Sequence, residues 1–182
     1  MLATVDPQEA LRLMQIEHQS VRDLINELND EEMTRPNTIR YGLYADQKLS
    51  FKDLLAHLIC YEAYALEAIE SWQQGEKHWI GDALDSDYEG MKVHYAGIAD
   101  RAYLSLEAVI RQWEDTQAAL ETFYSNVSIE DWRAAVPYTT DEATDLGGIL
   151  EAILVTPPRP MYRHLPVHIP NSEAYIRQLR GK

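Results

Sequence analysis

Apolar residues recur at steps of three and four along four stretches of the chain, and that period predicts helices. Leu13, Met14, Val21, Leu24, Ile25 and Leu28 mark the first, over about 7–28. Asp6-Pro7-Gln8-Glu9 stands before it as a start signal, with Asp6 as cap, Pro7 at the first helical position and Glu9 completing a capping box. The second opens at Ser50, with Asp53 as a short version of the capping-box Glu, and carries a wide apolar face from Leu54 to Trp72. Gly75 is its expected stop. The third pattern runs from about 91 to 125 through Ile98, Leu106, Val109, Ile110, Trp113, Leu120 and Phe123. It predicts one long helix, slightly weakened by Gly97. The fourth opens near Asp145 and carries Leu146, Ile149, Leu150, Ile153 and Leu154. Gly147 and Gly148 weaken its first turn or permit close packing.

Between these lie shorter pieces. Residues 29–49 break the pattern with Pro36, Asn37, Gly42 and Asp46, and Ile39, Tyr41, Leu43 and Tyr44 are their anchors, on one reading also the border of a pocket. Residues 75–90 read as a loop anchored by Trp79 and Tyr88. Ser128 caps a short helical turn. Pro157, Pro158 and Pro160 predict a kinked or broken fourth helix, and Asn171 or Ser172 is the expected cap of a terminal helix bearing Tyr175, Ile176 and Leu179. No run alternates with period two. The expectation is an all-α fold, a four-helix bundle in a single domain over 1–182.

Charge and composition narrow the classes. The net charge is −14, from 16 basic and 30 acidic side chains, which argues against nucleic acid and anionic membrane as partners. It is unevenly spread. Residues 159–182 hold Arg159, Arg163, Arg177, Arg180 and Lys182 against Glu173 alone, a local surplus that would draw an anionic group. The single Cys60 excludes an intrachain disulfide and a thiolate cluster, and its apolar neighbours read as those of a buried thiol. No signal peptide and no run of eighteen apolar residues stands out, so the expected compartment is the cytoplasm.

The candidate chemistry sits in RHLPVH, residues 163–168. His164 and His168 are four apart, a spacing that stacks two side chains on one helix face where two imidazoles can share a divalent ion. His57, in SFKDLLAHLICYE, is the expected third ligand. Pro166 lies between the late pair and is the weak joint: a chain that turns extended there would part the rings. Three imidazoles leave an open position on Zn²⁺ or Ni²⁺ for water or thiol. His18 is either a packed histidine or part of the site wall, and His94 is expected at the surface. No H-E-x-x-H, Gly-rich phosphate loop or paired E-x-x-H is present.

Three segments carry a family likeness. SFKDLLAHLICYE, VSIEDWRAAVPY and MYRHLPVHIPNSEAYI resemble the second-helix motif, the mid-chain cap and the closing H-x-x-x-H of the DinB/YfiT-like bundles. The resemblance implies one divalent ion on His57, His164 and His168, and a homodimer. It further implies thiol-dependent chemistry such as thiol-S-transfer or mycothiol-dependent isomerisation, or the hydrolysis carried out by self-protection enzymes that open a cyclopropane. Pro166 departs from the family pattern, in which a polar residue is commoner.

Two functions follow. In the first, a metal-dependent enzyme activates a low-molecular-weight thiol or water for attack on an electrophilic small molecule. Arg163 or Arg159 would pair with a carboxylate of the substrate or thiol, and Tyr61, Glu62 and Trp79 would serve as wall or proton-transfer groups. In the second, the bundle binds a metal or small molecule without turnover, or has lost its metal.

Overall fold

Capping residues set most of the helix starts. In the computed structural model, Asp6 Oδ1 accepts from Glu9 N at 2.8 Å and Pro7 occupies the first position of α1 (Pro7–Glu27). The Glu9 carboxylate does not close a capping box; it pairs with Arg12 at 2.7 Å instead. Asn29 and Glu32 form a reciprocal box on α2 (Asp30–Thr34). Ser50 and Asp53 do the same on α3 (Phe51–Gln73), which ends before Gly75 at φ +79°. The structure describes residues 1–41, 44–84, 87–140, 144–154 and 168–181, without the side chains of 41, 44–47, 84, 87–91 and 94.

Three features differ from the sequence pattern. A short antiparallel hairpin, β1 (Ile39–Tyr41) and β2 (Tyr44–Leu49), occupies part of the expected loop, with Ile39 opposite Leu49 and Arg40 opposite Lys48. Strands of three and six residues are too short for alternation to show against the helical background. The expected third helix is two, α5 (Asp87–Arg101) and α6 (Leu106–Asn126), preceded by the short α4 (Ile80–Leu84). Ser105 makes the break: its Oγ accepts from Ala108 N at 3.2 Å and starts a new helix inside an unbroken apolar period. Finally, the terminal helix begins earlier than Asn171 or Ser172 would place it.

After α7 (Ile129–Trp132), α8 (Leu146–Leu154) starts where Asp145 Oδ1 accepts from Gly148 N at 2.7 Å. The terminal helix α9 (Ile169–Leu179) follows, with His168 at its N-cap position. Pro170 falls in its first turn, where a missing N–H costs nothing. Nine helices and one hairpin are thus present among the described residues, an all-α architecture. No described helix is long and apolar enough to cross a membrane.

Helix α3 is the centre: it packs on α5, α6 and α8, while α1 packs on α6 and α9. The core falls into two apolar clusters. One joins Met14, Ala65, Leu120, Leu150 and Ile153; the other joins Val21, Leu24, Leu55, Leu58, Val109, Trp113 and Ile176. Between them, each of three helices interrupts its buried stripe with polar residues: Glu17 and His18 on α1, Glu62 on α3, Gln117 on α6.

Candidate metal centre

Helix α3 presents His57 inward from its second turn, one turn after Asp53 of the capping box. The side chain is buried at 1 % exposure, and His168 at the start of α9 is buried at 2 %. Their ring centroids lie 5.2 Å apart with planes inclined at 81°. Two imidazoles sharing one tetrahedral ion at metal–nitrogen distances of about 2.1 Å place their ring centres about 5 Å apart, so the pair has the separation that a common ion requires. His168 and Ile169 close a small recess whose other walls include Val21 and Leu24 of α1 and Leu54 and Leu58 of α3. His57 does not line this recess, so the recess flanks the His168 side of the ring pair.

His168 stands at the N-cap position of α9. The His168 carbonyl accepts from Ser172 N at 3.0 Å and from Ser172 Oγ at 3.1 Å, which fixes the backbone behind the imidazole. His164, Arg159 and Arg163 lie outside the described residues, as does Pro166. Among the described residues no group of three His, Cys, Asp or Glu side chains is placed to hold an ion.

The two α3 residues named with His57 point in different directions. The Tyr61 ring sits 5.0 Å from the His57 ring, edge to face. From there a row of rings leads outward: Tyr61 to Tyr64 at 6.4 Å, then Tyr64 to Trp79 at 5.1 Å, with Trp79 50 % exposed. Burial raises the Tyr64 hydroxyl well above its ordinary value, and its hydrogen bond with Cys60 acts in the same direction. Burial likewise raises the Cys60 thiol. Neither is a ready anion at neutral pH. The spacing His57, Tyr61, Tyr64 at four and three residues was the sequence signal for this row.

Glu62 points into the polar layer. Its Oε2 accepts from Thr116 Oγ1 at 2.6 Å, and its Oε1 lies 3.5 Å from His18 Nε2. The other His18 nitrogen, Nδ1, is 3.1 Å from Glu121 Oε1. Burial would raise the Glu121 carboxyl, but hydrogen bonds from His18 and Gln15 and the charges of His18 and Arg22 outweigh it and hold it below the ordinary range. Arg22 also donates to Gln117 Oε1 at 3.0 Å and lies 5.9 Å over the Trp113 ring. Trp113 Nε1 and Gln117 Nε2 meet no acceptor among the described residues, so the layer is not saturated by its own side chains.

This layer adjoins the recess that His168 lines. Val21 and Leu58 line the recess beneath His168, and His18 and Glu62 lie one turn away from them along α1 and α3. One turn is about 5 Å of axial rise. Of these polar groups, sequence reasoning named Glu62 and left His18 open; it missed Thr116, Gln117 and Glu121. The readable signal was a polar residue in an apolar stripe, as in Trp113, Gln117, Leu120.

No family model and no curated protein matches this chain. Two solved structures are similar to it. One is an uncharacterised protein from Escherichia coli UTI89, with TM-score 0.66 and 10 % identity over 98 % of this chain and 93 % of that one. The other is the colibactin self-resistance protein ClbS in complex with a dsDNA, with TM-score 0.63 and 8 % identity over 97 % of this chain and 94 % of that one. At these identities the likeness establishes the helical fold. It also corrects the exclusion of nucleic acid drawn from net charge. A chain of this fold has been crystallised on duplex DNA, and a net charge averages over the local patches that meet phosphates.

Proposed function

We propose that the chain is a DinB-like metal-dependent enzyme that activates a thiol or water against an electrophilic small molecule. The observation that carries the reading is the buried His57–His168 pair at 5.2 Å, brought together from helices more than a hundred residues apart in sequence. The donor set is imidazole, which suits Zn²⁺ or Ni²⁺, with His164 as the third ligand. A bound ion would supply Lewis acidity, lowering the pKa of a thiol or water at neutral pH. The protein's own groups do the rest. Leu54, Leu58, Val21 and Leu24 screen the His168 side of the pair from bulk water. Tyr61 packs against the His57 ring and limits its rotation, and the row through Tyr64 to Trp79 offers an aromatic wall to a planar substrate. Arg159 and Arg163 are the candidates for pairing with a carboxylate on the thiol or substrate.

Elemental analysis of untagged protein tests this directly. Expected is one divalent ion per chain, lost in His57→Ala and in His168→Ala, with metal-dependent consumption of epoxide or haloarene probes by bacillithiol, glutathione or water. A protein that binds no ion when offered Zn²⁺ and Ni²⁺ would end the reading. Stoichiometric binding without turnover across both thiols and water would leave the binding-only alternative.

The dsDNA complex of ClbS favours a second reading, duplex DNA as a ligand of this chain. Within the basic C-terminal surplus, Arg180 is held by Glu32 and Arg177 lies 3.5 Å from Glu173, which leaves Arg159, Arg163 and Lys182 as its candidates. Fluorescence anisotropy with a short duplex across a salt series tests it. Binding that weakens steeply with salt and is lost in the Arg159→Gln/Arg163→Gln variant supports phosphate contact.

A further inference from the structure

His18 is set between two carboxylates that differ in their access to water. Its Nε2 faces Glu62 at 3.5 Å, whose side chain is 10 % exposed. Its Nδ1 faces Glu121 at 3.1 Å, whose side chain is 28 % exposed and whose second oxygen accepts from the exposed Gln15 at 3.2 Å. The imidazole itself is 3 % exposed. A ring that presents one nitrogen to an interior acid and the other to a surface acid can take a proton on one side and release one on the other. The neighbouring groups keep it in that attitude. Trp113 meets the ring edge-on at 6.1 Å, Thr116 fixes Glu62 from α6, and Arg22 on α1 acts on Glu121. Glu17, buried on the same turn of α1, is the remaining acid of the layer.

We propose that His18 is a proton shuttle that connects Glu62, in the bundle interior, with solvent through Glu121. Outward, the Glu62 carboxyl gives its proton to Nε2 while Nδ1–H gives one to the Glu121 carboxylate, which passes it to water. One O–H bond breaks and one N–H forms on the inner side; one N–H breaks and one O–H forms on the outer side. The ring is left as its other tautomer, and the reverse transfer or a ring rotation resets it. No electron moves and no further reactant is needed. Glu62, five residues along α3 from His57, is then the interior acceptor for a proton released at that centre, and His18 and Glu121 are transfer residues between it and solvent. This deepens the metal-centre reading and rests on it only for the origin of the proton.

The test uses the full chain without metal or substrate, so its outcome is separate from that of the metal-centre reading. The protein carries ¹³C-labelled glutamate and is taken from neutral to acid pH in a rapid mixer, with the carboxylic C=O band followed by infrared. Wild type is expected to show a buried carboxyl band that is missing in Glu62→Gln. In His18→Gln, which keeps the polar contacts but cannot relay, that band should appear more slowly by on the order of 100-fold. Glu121→Gln, altered at the partly exposed end where folding is least affected, should slow it in the same sense. Absence of a Glu62-dependent band in wild type would overturn the proposal. So would an unchanged rate in either folded variant, because a purely structural His18 would alter stability and not the rate of proton delivery.

Discussion

Gly97 has no room for a methyl group. A Cβ there would press on Cys60 Cβ, lie 2.7 Å from Cys60 Sγ and stand 3.1 Å from the Ala56 carbonyl oxygen. The glycine thus lets α5 pass close against α3 at the level of His57. Arg101 secures the same helix end by donating to the Gly97 carbonyl at 3.2 Å and to Gln112 at 3.1 Å. Gly97→Ala should lower stability by about 1–3 kcal/mol in urea unfolding, the usual cost of overpacking, even though alanine is the better helix former. Adding Cys60→Gly should return part of that loss. The sequence shows Gly97 only as a weak spot in a helix, because a close approach between helices leaves no mark on either strand of sequence by itself. The same limit hid Glu121 and Thr116, surface-type residues on α6 that matter through what α1 and α3 bring to them. His57 and His168 were legible for the opposite reason. A histidine inside an apolar face or flanked by prolines is chemically conspicuous before any fold is known.

The element that sets the geometry of the histidine pair is α9, since His168 is its N-cap. Its far end is held by Arg180, which donates to Glu32 Oε1 at 2.6 Å and to the Glu27 carbonyl at 2.5 Å. Tyr175 Oη donates to the Glu32 carbonyl at 2.9 Å. The hydrogen bond from Arg180, helped by the Asn29 backbone, moves the Glu32 carboxyl from its ordinary 4.5 down to about 2. A carboxyl depressed on folding stabilises the fold fully above its unfolded value and loses that contribution as pH falls through the folded one. The clasp should therefore hold above pH 4.5 and release between 4.5 and about 2. Hydrogen exchange of the α9 amides should rise in that window, and Arg180→Met should remove the acid-dependent step while raising exchange at neutral pH. An acid transition that is unchanged in Arg180→Met would assign it to other carboxylates. The caps at Asp6, Ser50 and Ser128 were readable because a capping side chain and its backbone target lie within three residues. The Arg180–Glu32 clasp joins residues 148 apart and has no local signature.

At the scale of the whole molecule, the bundle is two apolar clusters divided by one ionisable layer, and that division is a cost a purely structural bundle would not carry. Buried charges are tolerated when paired and are expensive when one partner is removed. Glu62→Leu alone leaves His18 Nε2 and Thr116 Oγ1 facing an apolar side chain and should destabilise the fold by about 3–5 kcal/mol. Replacing three of the four layer residues together, with His18→Leu, Glu62→Leu and Gln117→Leu, joins the two clusters across everything but Glu17. That variant should recover the whole loss and match or exceed wild type, by up to about 4 kcal/mol, because apolar packing replaces desolvated charge. Chemical unfolding of the three single variants and the triple variant decides it. A triple variant less stable than Glu62→Leu would mean that the layer holds the bundle together. A triple variant as stable as wild type would mean that stability does not require these side chains, and it would leave proton handling beside the histidine pair as their use.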